Sequence, residues 1–228
     1  MFFVLSGKSS ILVSEFNPPI EVKDGRYVLG LTDFAVYNSI PNIDDDCNSI
    51  KIGSKEITIP TGCYQLQDLN NFITHELKSD SKYHHIFFEL SENRNTLHTH
   101  IKCTEEVDIT SSNSIAPLIG FNRKILAKDS KAKSDNIADI ITVNSISVEC
   151  NIVVNSYRNG VPQHIIHQFS PTAPPGFKIV ESPEHVIYLP ISVNTIRSIV
   201  IKIVDQNDKL VNFQQETITV GLHLRKEI

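Results

Sequence analysis

Thr217-Ile218-Thr219-Val220-Gly221-Leu222-His223-Leu224 (217–224) sets large apolar residues in strict alternation with polar or small ones. Successive side chains on a strand point to opposite faces, so Ile218, Val220, Leu222 and Leu224 line one side of a sheet. The same period recurs upstream. Ile199, Ile201 and Ile203 alternate with Val200, Lys202 and Val204, and Ile146, Val148, Cys150, Ile152 and Val154 alternate with Ser147, Glu149 and Asn151. Repeated through 228 residues, this pattern predicts an all-β sandwich or barrel.

Working outward, strands are expected at 137–143, 146–154, 162–170, 185–189, 196–204 and 216–224. In the first half they are expected at 2–5, 11–16, 26–40 and 57–59, with a hairpin of 85–90 and 96–103. Asn17-Pro18-Pro19 predicts a break, Asp24-Gly25 a turn, and Asn159-Gly160 and Asn207-Asp208 tight connections. One segment has a helical period instead. Leu66, Leu69, Phe72, Ile73 and Leu77 share a stripe, which predicts one inserted helix at about 65–78. Ile115, Pro117, Leu118, Ile119 and Phe121 read as an apolar plug in a short turn or helix over 114–121. No repeat or linker divides the chain, so a single domain over 1–228 is expected.

The net charge of -5 is mild and no Lys/Arg run stands out. Arg123, Lys124, Lys128, Lys131 and Lys133 come with Asp129 and Asp135 in the least periodic stretch. That predicts a charged surface loop at about 122–136 and no specific nucleic-acid partner. Asp44-Asp45-Asp46 lacks the ligand spacing and central Gly of a calcium loop, which predicts a solvated acidic turn. The apolar stretch 1–5 is too short for a signal peptide or a membrane span, so an intracellularly made chain with no membrane partner is expected.

His98-Thr99-His100 followed by Glu105 has the spacing of half a cupin metal site, where imidazoles and a carboxylate on a barrel wall hold a transition metal. The rest of that pattern is missing. Glu92 stands where Gly is required, and Ile179 stands where the later His is required after Pro174-Pro175-Gly176. Leu97, Thr99, Ile101 and Cys103 form the apolar side of this strand, which turns both histidines outward. His84 and His85 point to opposite faces of a strand, as do His164 and His167. Cys47, Cys63, Cys103 and Cys150 form no C-x-x-C pair, and Cys150 suits a buried thiol. No nucleophile elbow or Gly-rich phosphate loop is present. The residues therefore predict no catalytic, cofactor-binding or metal site and no cofactor.

Several segments, taken in order, resemble a known family. They include Gly30-Leu31-Thr32-Asp33-Phe34, Ile57-Thr58-Ile59-Pro60-Thr61-Gly62-Cys63-Tyr64, Leu118-Ile119-Gly120-Phe121, Pro174-Pro175-Gly176-Phe177-Lys178-Ile179 and Ile187-Tyr188-Leu189-Pro190. The chain resembles the minor capsid (penton) protein of Polinton/Maverick elements and the related adintoviruses. The resemblance implies a single jelly-roll β-sandwich, here with the helix and extra hairpins added. It implies a structural, non-enzymatic role in the virion: a homopentamer at the icosahedral vertex beside a double jelly-roll major capsid protein. Two other readings stay open from the residues. One is a lectin-like or receptor-binding jelly-roll module; the other is a cupin-type metalloenzyme using His98, His100 and Glu105.

Overall fold

A computed structural model describes residues 1–22 and 25–227, so Asp24 of the expected turn lies outside the described residues. The chain opens with β1 (Phe2–Gly7), β2 (Ile11–Glu21) and β3 (Tyr27–Tyr37). Then come β4 (Ser49–Ile52), β5 (Lys55–Thr58), helix α1 (Leu66–Lys78), β6 (Phe88–Glu92), β7 (His98–Cys103), β8 (Val107–Asp108), β9 (Ile125–Leu126) and β10 (Ser130–Ile137). It closes with β11 (Ile146–Cys150), β12 (Ser156–Arg158), β13 (Val161–Gln163), β14 (Ile165–Phe169), β15 (Lys178–Glu181), β16 (Leu189–Pro190), β17 (Thr195–Val204) and β18 (Ile218–Lys226).

Two compact units make up the chain. The first is Met1–Ile40 with Val143–Ile228; the second is the intervening Pro41–Thr142. In the first unit β1-β18-β3-β15 form one sheet, with β16 also on β3, and β14-β11-β17-β2 form the other. The pairs β1:β18, β2:β17, β3:β15 and β11:β14 are nested and antiparallel. That is one long hairpin rolled up on itself, the jelly roll that the resemblance implies. The second unit is inserted between the third and fourth strands of the roll.

The roll's core follows from the alternation. Ile218, Val220, Leu222 and Leu224 of β18 face Ile199, Ile201 and Ile203 of β17 and Ile146, Val148 and Cys150 of β11, all buried. Phe34 of β3 is fully buried beside Phe169 and Phe213, with ring centroids 5.0 and 6.4 Å away. On β3 the pairing with β18 skips a residue between Leu31 and Asp33. This bulge sets Thr32 and Asp33 on the same outward side.

The second unit holds the sheets β5-β4-β8-β9 and β10-β7-β6 and the helix. Helix α1 buries Leu66, Leu69, Ile73 and Leu77, as its stripe predicts, and packs against β6. The Asp68 carboxylate accepts the Gln65 N–H at 2.9 Å and closes the helix start. The 114–121 segment is the apolar plug: Ile115, Ala116, Leu118, Ile119 and Phe121 are buried in this unit's core.

Several sequence expectations change. β2 runs through Pro18-Pro19 instead of breaking there. Its pairing jumps from Glu15↔Ser198 to Ile20↔Ile196, so the prolines occupy an unpaired stretch of an edge strand, where their missing N–H costs no ladder bond. The charged stretch 122–136 is not all loop: Ser130–Ile137 is a strand paired with β7. Residues 138–145 carry no strand, and of 185–189 only Leu189 belongs to one. Leu97 is exposed at the hairpin end with φ of 56°, off the apolar side of β7.

Candidate assembly surfaces

The histidines singled out in the sequence do not converge with Glu105. Thr99 is buried, and its hydroxyl donates to the Ile119 carbonyl, so His98 and His100 share the opposite, half-buried face of β7. His98 Nδ1 lies 3.1 Å from both the carbonyl and the hydroxyl oxygen of Ser134. The Glu105 carboxylate instead pairs with Lys128 Nζ at 2.8 Å. Among the described residues no group of three or more His, Cys, Asp or Glu side chains is placed to hold a metal. His84 and His85 lie in a turn, not a strand, with their rings edge-on at 6.0 Å. His164 and His167 are spent within the roll. His164 Nδ1 meets the Val153 carbonyl at 2.6 Å, and His167 Nε2 meets Glu181 Oε1 at 2.9 Å. The latter contact ties edge strand β14 of one sheet to edge strand β15 of the other.

All four cysteines are free. Burial raises the Cys150 thiol to about 11 and also pushes up Cys103, Cys47 and Cys63. The thiolate is the reactive form, so each site disfavours nucleophilic chemistry. Exposure then orders their labelling. A thiol reagent such as DTNB at pH 8 is expected to modify Cys63 first and to reach Cys103 and Cys150 only after denaturant is added. Rapid labelling of Cys150 in the native chain would contradict this packing.

Exposed apolar and cationic residues gather elsewhere. On the roll, the outward side of β1 exposes Phe2 and Val4. Across the same sheet, Tyr37 and Val180 are exposed beside Lys178, which pairs with Tyr37 in register. The Pro171–Phe177 stretch meets these residues as a fastened turn. Asn38 Nδ2 donates to the Ala173 carbonyl at 2.7 Å, the Asn38 N–H donates to Phe177 O at 2.8 Å, and Asn38 O accepts the Gly176 N–H at 2.8 Å. Gly176 takes a φ of 80°, which closes the turn and leaves Phe177 exposed. Tyr37, Phe177 and Val180 are thus exposed apolar residues close together along β3 and β15, on backbone that is already ordered.

In the second unit, the outward side of the β10-β7-β6 sheet is cationic. Lys131 lies opposite Lys102, and Lys133 lies opposite His100. The sequence reading treats Lys131 and Lys133 as loop residues and does not join them to Lys102. A local signal was present: in Ser130-Lys131-Ala132-Lys133-Ser134 small and charged residues alternate, as on a strand with one side solvated.

These elements define a single jelly roll with an inserted α+β unit of antiparallel sheets and one helix. No protein-family model matches the chain, and no curated protein matches it. Among solved structures, the crystal structure of the mavirus penton protein matches 99% of this chain and 99% of its own, with a TM-score of 0.52 and 12% sequence identity. A chain of the Sputnik virophage structure determined by electron cryo-microscopy aligns over 99% of this chain and 97% of its own, with a TM-score of 0.44 and 14% identity. The chain therefore shares the fold of the mavirus penton protein over nearly its whole length.

Proposed function

We propose that this chain is a structural, non-enzymatic minor capsid protein of a Polinton/Maverick-like element, working as one protein over 1–228. Five copies form the icosahedral vertex beside a double jelly-roll major capsid protein, and the mature location is the virion. The observation that carries this reading is the fold shared with the mavirus penton protein across 99% of both chains. The order of segments that resembles Polinton/Maverick pentons supports it independently of the fold. A closed ring needs heterologous contacts, one surface of each copy meeting a different surface of the next. The patch of Tyr37, Phe177 and Val180 suits one half of such a contact, because its turn is ordered before binding.

Light scattering on the purified chain tests the reading, with a pentamer expected at micromolar concentration or on addition of the major capsid protein. A chain that stays monomeric and is never incorporated into particles would sink it. Replacing Pro174 and Pro175 with Ala is expected to weaken pentamer formation several-fold while leaving the fold intact. Unchanged assembly in that variant would remove the Pro-rich turn from the interface.

A further inference from the structure

The β10-β7-β6 sheet collects on one side the cations that the sequence scatters. Lys102, Lys131 and Lys133 are all exposed, and Lys131 and Lys102 are direct cross-strand partners. Like charges in that relation destabilise a sheet. Among the described residues none of the three ammonium groups has a carboxylate at ion-pair distance, and Lys102 Nζ sits 5.4 Å over the Phe87 ring. The nearby acids are committed elsewhere: Asp135 to Lys124 at 2.8 Å and Glu105 to Lys128 at 2.8 Å. Only Glu89, opposite Lys102 from the β6 side, shares the surface in register.

The unit that carries this cationic side is itself acidic. Residues 41–142 contain 11 Lys and Arg against 15 Asp and Glu, a net charge of -4. Its negative charge therefore lies on the remainder of its surface, including the exposed Asp44, Asp45 and Asp46, whose carboxylates meet no cation among the described residues. A polyanion such as nucleic acid is repelled by the unit's overall charge until it is within about a Debye length, ~8 Å at physiological salt. The cationic side also presents no helix to enter a groove, and among the described residues its one exposed ring, Phe87, is covered by Lys102. The anionic remainder of another copy has the matching sign and is supplied by the same chain.

We infer that the side of the sheet bearing Lys102, Lys131 and Lys133 docks against the anionic surface of the inserted unit of a second copy. This inference rests on the proposed self-association and assigns part of the contact to the inserted unit. The two surfaces differ, so the contact is head-to-tail and repeats around a ring. Lysines left unpaired in the isolated chain gain carboxylate partners on assembly.

Sedimentation velocity of the full chain tests this, comparing the wild type with Lys102→Glu/Lys131→Glu/Lys133→Glu and with the milder Lys131→Gln/Lys133→Gln at 50, 150 and 500 mM NaCl. Circular dichroism and thermal melts check that both variants fold. Wild-type association is expected to weaken as salt rises, and the triple reversal is expected to weaken it at least tenfold at 150 mM, with the Gln pair intermediate. Wild-type oligomers unchanged by the folded variants would overturn the docking inference and leave the ring standing. A wild type that is monomeric throughout would overturn the docking inference, and failure to enter particles with the major capsid protein as well would overturn the ring. Retention on immobilised heparin or duplex DNA, lost in the triple reversal without any change in self-association, would overturn it in favour of a polyanionic partner.

Discussion

Replacing Phe34 with Ala is expected to destabilise the jelly roll by about 3–5 kcal/mol and to remove the chain from particles. The side chain has no exposed surface and packs between Phe169 and Phe213, so truncation loses its burial and leaves a cavity between two sheets that cannot collapse freely. Native domains carry a margin of only about 5–15 kcal/mol, so the loss consumes much of it. Urea denaturation followed by circular dichroism reads the effect. The same truncation at Tyr37, three residues along β3 but exposed, is expected to change stability by less than about 0.5 kcal/mol. Its effect belongs in the assembly assay. Equal losses at the two positions would refute the sandwich core as described.

In the inserted unit the largest effect is expected from Gly120→Ala. Gly120 has a φ of 77°, and an added Cβ would lie 2.4 Å from the Asn136 carbonyl oxygen and 2.8 Å from that of Ile137. Both obstacles are backbone, and the adjoining Asn136 N–H already donates to the Gly120 carbonyl at 2.8 Å, so neither side can yield cheaply. The left-handed conformation costs Ala about 1–2 kcal/mol, and overpacking adds about 1–3 kcal/mol. Gly160→Ala is the matched control. Its φ is 80°, but nothing lies within 4 Å of the new Cβ, so only the conformational cost should appear. A Gly120→Ala variant that melts with the Gly160→Ala variant would show that the plug does not abut the end of β10.

The roll was legible wherever one side of a strand is buried and the other solvated. Ile218 to Leu224 and Ile199 to Ile203 alternate because each sheet presents one surface to the core, and the helical stripe from Leu66 to Leu77 was equally plain. The division into two units was not legible, because both cores are filled with the same aliphatic residues. Strand β10 was missed because its inward positions are Ala132 and Ser134. Small side chains suffice there, under the plug, and they leave no hydrophobic period to read. Pro18-Pro19 misled for the opposite reason: a local rule against proline in strands gives way at an edge where pairing already lapses. The contact surfaces were the least legible. Tyr37, Phe177 and Val180 are brought together by the pairing of β15 with β3, and Lys102 and Lys131 by that of β7 with β10. Neither neighbourhood exists until the strands have found their registers.

The rolled-hairpin topology also fixes a timetable for synthesis. Phe2 lies opposite His223 in register, and β18 stands between β1 and β3. β1 therefore waits for β18, which follows it at long range, before its sheet can close, whereas every strand partner within residues 41–142 has emerged before β18 is made. Long-range pairing of this kind folds slowly, which leaves the uncharged Phe2-Phe3-Val4-Leu5 edge bare in the nascent chain. A message truncated ahead of Ile218 would yield a finished insert on a roll with its middle strand missing.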